Sequence, residues 1–105
     1  MEQIIEEYFA YLAIERGSSP LTIDAYAKDL ATYRTFLEER GKTDLAHIER
    51  DDILAFQKSQ LDQGFAVSTL ERRLSAIKGL HRFALREGYV DADPAQAIPL
   101  PKKPG

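Results

Sequence analysis

Between positions 69 and 86 the chain sets Thr69, Arg72, Arg73, Ser75, Lys78, Arg82 and Arg86 at offsets built from three, four and seven residues. On a helix such offsets share one face. Lysine and arginine attract phosphate by charge, and arginine also forks onto a phosphate or the edge of a guanine. Ser75 and Thr69 add hydrogen-bonding hydroxyls, and Arg73 sits at the margin. Gly79 falls on the same side and, having no side chain, is expected to let a sugar–phosphate come close. Five Lys/Arg on this stretch face only Glu71 and Glu87, a local net charge of +3. Charge alone leaves two readings open: a surface that meets a polyanion, and the solvated side of an amphipathic helix.

Other chemistries find little support. There is no cysteine, so disulfides, thiolate metal sites and cysteine nucleophiles are excluded. His47 and His81 are far apart, with no ligand-like spacing around either. No Gly-rich phosphate loop or nucleophile–base pair appears. Glu6/Glu7, Glu38/Glu39 and Asp51/Asp52 read as solvated helix faces or helix-end charges. Tyr8, Tyr26 and Tyr33 read as core packing, since no Arg and His neighbour them to activate a phenol. His81 reads as a packing or backbone-contacting residue. No catalytic residue, metal, cofactor or small-molecule substrate is therefore expected. No apolar run reaches the roughly 20 residues a membrane span needs, and the acidic amphipathic start is unlike a secretory signal, so a cytoplasmic protein is expected.

The elements that position the basic face are all helical. The 105 residues suit one domain. Ile4, Ile5, Tyr8, Phe9 and Leu12 form an apolar face on a first helix, from Glu2 to Arg16, stopped by Gly17. Ser19 caps a second helix and Pro20 opens it; its core face is Ile23, Tyr26, Ala27, Leu30, Tyr33 and Leu37, and Gly41 ends it. Leu45 and Ile48 pin a connector over 42–50. A third helix spans Arg50 to Gln63, with Ile53, Leu54, Phe56 and Leu61 toward the core. The fourth runs from Ser68 to Glu87, with Leu70, Leu74, Ile77, Leu80, Ala84 and Leu85 buried; Ala66 is a poor cap, which passes that role to Ser68. Asp93-Pro94 opens a short fifth element ending at Ile98. Residues 1–98 thus form an all-α bundle of four main helices plus a short fifth. Residues 99–105, Pro-Leu-Pro-Lys-Lys-Pro-Gly, read as an extended linker. Charge divides along the chain: residues 1–63 hold 7 Lys/Arg against 13 Asp/Glu, and residues 64–105 hold 7 against 4.

Several strings carry a family resemblance. Arg72-Arg73-Leu74-Ser75-Ala76-Ile77-Lys78, then Arg82-Phe83, Arg86-Glu87-Gly88 and Asp93-Pro94-Ala95, resemble the last helices of the core-binding domain of Xer-type tyrosine recombinases. Gly17-Ser18-Ser19-Pro20-Leu21-Thr22 through Tyr26 and Asp29-Leu30 resembles the same family's G-L-S-x-x-T-x-x-x-Y-x-x-D-L, and Asp51-Asp52-Ile53 its third-helix opening. The resemblance implies a SAM-like helical domain that grips duplex DNA with its second and fourth helices near the major groove. It implies contacts from Thr22 and Lys28 on the second helix and from Thr69, Arg72, Arg73, Ser75, Lys78 and Arg82 on the fourth. Arg72, Lys78 and Arg82 would meet phosphates, and Lys102 and Lys103 would follow the backbone. It further implies that the catalytic Tyr, Arg pair, Lys and His belong to a separate C-terminal domain beyond the linker, and that protomers touch through this domain. Chromosome resolution of the Xer kind is favoured over phage or mobile-element integration; a helical protein-interaction module is the alternative. The sequence departs from the pattern at Ala66 and Ser68, which stand where the family has a serine cap and a frequent Arg, and at Glu49, which replaces a common Thr cap.

Overall fold

A computed structural model describes residues 1–100. Within them the helices are α1 (Glu2–Ile14), α2 (Pro20–Glu39), α3 (Arg50–Asp62) and α4 (Val67–Arg86), with a single 3-10 turn at Leu45–His47. α2 and α4 form the central pair, α1 packs across both, and α3 closes the other side. Lys102 and Lys103, and most of the expected linker, lie outside the described residues.

Local chemistry sets the helix ends. The Ser19 hydroxyl accepts the Thr22 N–H at 3.2 Å, with Pro20 at the first helical position. α3 starts differently: Asp52, in its first turn, reaches back to accept the Glu49 N–H at 2.8 Å, half of a capping box. α4 ends in a Schellman arrangement, the Tyr89 N–H reaching the Ala84 carbonyl and the Gly88 N–H that of Leu85. That motif needs a left-handed residue, and Gly88 supplies it at φ 79°. α4 begins at Val67 with Ala66 as an N-cap that makes no side-chain bond, one residue before the expected start at Ser68.

The core gathers Tyr8 and Leu12 from α1, Leu30, Tyr33 and Leu37 from α2, Ile53 and Phe56 from α3, and Leu74, Ile77 and Leu80 from α4, with Leu45 and Ile48 pinned beneath the connector. The rings of Tyr33 and Phe56 meet edge to face, 5.3 Å apart. Three expected core residues are exposed instead: Leu54, Leu61 and Leu85. Gln60, His81 and Phe83 are buried as well, so the interior stripes of α3 and α4 run through these residues and leave Leu54, Leu61 and Leu85 at their outer edges. The short fifth element is a pair of turns: the Asp93 carboxylate accepts the Ala95 N–H at 2.9 Å, and the Ile98 N–H bonds the Ala95 carbonyl. Ala95 and Ile98 are both buried, tying this segment to the bundle.

Candidate nucleic-acid interface

α1, α2 and α4 enclose an open groove of about 330 Å³. Its cations are Arg16, just after α1, and Lys78, Arg82 and Arg86 on α4. Ser18, Thr22 and Ser75 supply hydroxyls, Tyr11 and Tyr26 supply aromatic walls, and no carboxylate among the described residues lines it. In a chain with a net charge of −3 the groove thus gathers four cations, of which only Arg86 approaches a carboxylate among the described residues.

The cations differ in how firmly they are held. Arg86 lies over the Tyr11 ring at 4.4 Å and also approaches Glu15 and Glu87 at 3.9 and 3.7 Å. Arg16 and Arg86 both reach the Tyr11 hydroxyl, and the Arg16 hydrogen bond, followed by that of Arg86, draws the phenol below its ordinary pKa. Arg82 is exposed and forms no ion pair among the described residues. Lys78 donates to the carbonyls of Ile98 and Gln96, so it anchors the C-terminal turns at the rim. Tyr8 forms the floor, and burial raises its phenol to about 12.

Gly79 has a different role from the one expected. A Cβ built there would lie 2.0 Å from the Tyr8 hydroxyl, so the missing side chain makes room for Tyr8 rather than for a ligand. His81 is fully buried; its Nε2 pairs with the Tyr33 hydroxyl at 2.9 Å and burial lowers its pKa to about 4. It is a packing residue, remote from solvent.

Of the eight residues singled out from the sequence, the groove unites Thr22, Ser75, Lys78 and Arg82. Lys28 is exposed on α2 and Thr69 half-buried in the first turn of α4, both outside the groove. Arg72 and Arg73 converge on Asp29, which is only 1% exposed. Arg72 grips it with two hydrogen bonds, Nε to Oδ2 at 2.9 Å and Nη2 to Oδ1 at 2.7 Å. Arg73 approaches the same carboxylate at 3.4 Å, donates to Gln60 and covers the Phe65 ring at 4.5 Å, leaving its side chain 14% exposed. Sequence reasoning missed Arg16, which it read only as the end of the first helix and did not join to the cations of the fourth. It also missed Asp29 as a partner, although Asp29-Leu30 stood within the family string.

The comparisons with known proteins agree with this architecture. Residues 5–88 match the family model described as phage integrase, N-terminal SAM-like domain. The chain is 40% identical over 102 residues to a tyrosine recombinase XerD of Staphylococcus haemolyticus and 38% identical over 104 residues to one of Oceanobacillus iheyensis. Those alignments cover 97% and 98% of this chain, which spans 35% of the length of either relative. No solved structure matches the chain. A four-helix bundle with these signatures and this family match has one assignment: the chain belongs to the phage integrase N-terminal SAM-like domain family.

Proposed function

We propose that this chain is the DNA-gripping unit of a site-specific tyrosine recombinase of the Xer kind, holding duplex DNA while chemistry is carried out by residues outside the described bundle. The observation that carries the reading is the groove: Arg16, Lys78, Arg82 and Arg86 with Ser18, Thr22 and Ser75, and no acid among them. Phosphate contacts position a protein on the duplex, and hydroxyls together with cations suit them. Arg16 and Arg82 are the principal phosphate contacts, because neither is tied to a carboxylate among the described residues. Lys78 and Arg86 contribute while also holding the C-terminal turns and Tyr11.

The test is charge reversal. Arg16→Glu with Arg82→Glu is expected to lower affinity for duplex DNA at least tenfold at moderate salt and to flatten the dependence of log K on log salt by nearly one unit per lost phosphate contact. Unchanged electrophoretic shifts in that double variant would remove the assigned groove from the interface.

Contact with another protomer on DNA is a second use, favoured by Ile14 and Leu21, which flank the α1–α2 loop and are 81% and 82% exposed.

A further inference from the structure

The cluster around Asp29 carries an inference that deepens this reading and rests on it. A carboxylate that is 1% exposed is costly to bury unless it is fully paired. Here it is paired by the Nε and Nη2 edge of Arg72 and by Arg73 behind it. Arg73 is itself held from the other side by Gln60 and Phe65, so the carboxylate cannot swing away. The consequence falls on Arg72. Its guanidinium plane is fixed on one edge, yet its side chain stays 48% exposed, and Nη1 has no hydrogen-bond partner among the described residues. The hydrogen bond to Asp29 holds its pKa above the ordinary value, so it keeps its proton throughout. A free arginine on a surface samples many rotamers and follows any phosphate. A buttressed one presents donors at a fixed place and angle, with part of its charge balanced by the acid behind it.

We infer that Arg72 is a specificity-determining residue, oriented by the positioning residue Asp29 to donate to the edge of a base, and that phosphate attraction comes from the groove cations and not from Arg72. Arg72 lies outside the groove but one helical turn before Ser75, which lines it, so a duplex seated on the groove need extend only one turn along α4 to meet it.

The experiment starts by selecting bound duplexes from a random-sequence pool with the unmodified chain, then compares affinity for the selected duplex with affinity for an unselected one of equal length. Arg72→Lys keeps the charge and loses the fork. It is expected to lower the ratio of the two affinities about 5- to 150-fold, the discrimination of one bidentate base contact, while affinity for the unselected duplex changes less than threefold. Arg82→Ala is expected to weaken both affinities alike. Asp29→Asn is expected to lower the ratio as Arg72→Lys does; if it fails to fold by circular dichroism, the Arg72→Lys comparison decides alone. An unchanged ratio in Arg72→Lys, or a pool from which no sequence is enriched although duplexes bind, overturns the role of Arg72 and leaves the groove standing. Absence of any duplex binding overturns the groove and the inference together.

Discussion

Gly79 and His81 show how a single residue on the basic helix serves the interior. A glycine inside an exposed helix costs about 1 kcal/mol relative to alanine, so Gly79→Ala would ordinarily stabilise α4. Here the added methyl meets the Tyr8 hydroxyl at 2.0 Å and its ring carbon at 3.0 Å. Overpacking of this kind costs about 1–3 kcal/mol and outweighs the propensity gain. Gly79→Ala is expected to lower the denaturation midpoint, and Tyr8→Phe in the same chain to restore part of the loss; equal losses with and without the hydroxyl would refute the steric account. His81 gives a pH dependence whose sign follows from its depressed pKa. The folded protein keeps the ring neutral down to about pH 4, because burial disfavours the charge even against the attraction of Asp93. The unfolded chain takes up the proton near pH 6.5, so stability falls as pH drops from about 6.5 to about 4, by on the order of 3 kcal/mol in all. Asp52 acts lower: burial alone would raise its carboxyl, but the Glu49 N–H, Arg40 and Lys42 together hold it below the usual carboxylate range. Urea unfolding of the chain and of His81→Gln between pH 7 and 5 measures the effect, and the variant is expected to show the flatter profile.

At the scale of the element, α4 carries three duties. Leu74, Ile77 and Leu80 hold the core, Arg72 and Arg73 close on α2 and α3 through Asp29 and Gln60, and Arg82 with Arg86 faces the groove. Its N-terminus is the least secured part, since Ala66 offers no side-chain oxygen to the unpaired N–H groups of the first turn. The Ala66 backbone already has the extended geometry of a capping residue, φ −66° and ψ 150°. Ala66→Ser is therefore expected to stabilise the chain by about 1 kcal/mol, raising the thermal midpoint by roughly 4–8 °C for a domain of this size. A scanning melt reads this directly, and no shift would mean that the cap position is solvated at no cost.

For the whole molecule the notable quantity is the distribution of charge. A net charge of −3 opposes association with a polyanion at long range, yet among the described residues the groove is lined by four cations and no carboxylate. Screening within about 10 Å at 0.1 M salt separates the two effects, so the acidic remainder weakens encounter more than it weakens the seated complex. The salt slope measured in the charge-reversal experiment belongs to this scale, because each released counterion reports a phosphate held by the assembled groove and not by any one helix. The architecture makes that groove possible: α1 must pack on α2 and α4 for Arg16 to share it with Arg82, and the C-terminal turns must return to α4 for Lys78 to fix the rim.

By itself the sequence determined the helical class, the four helices and their ends to within one or two residues, and the family. Those properties depend on local periodicity, on Ser19-Pro20 and on the glycines that follow the helices, all of which act within a turn or two of their own position. It also identified the basic stretch of α4. Only the tertiary structure decided how those cations are divided. Arg72, Arg73, Lys78 and Arg82 look alike in a helical projection, but Asp29 lies 43 residues from Arg72 and the Ile98 carbonyl 20 residues from Lys78. Which cation is tied inward and which stays free depends on partners that only packing brings near. The same reason hid Arg16, which shares the groove with Lys78, Arg82 and Arg86 only because α1 packs across the central pair.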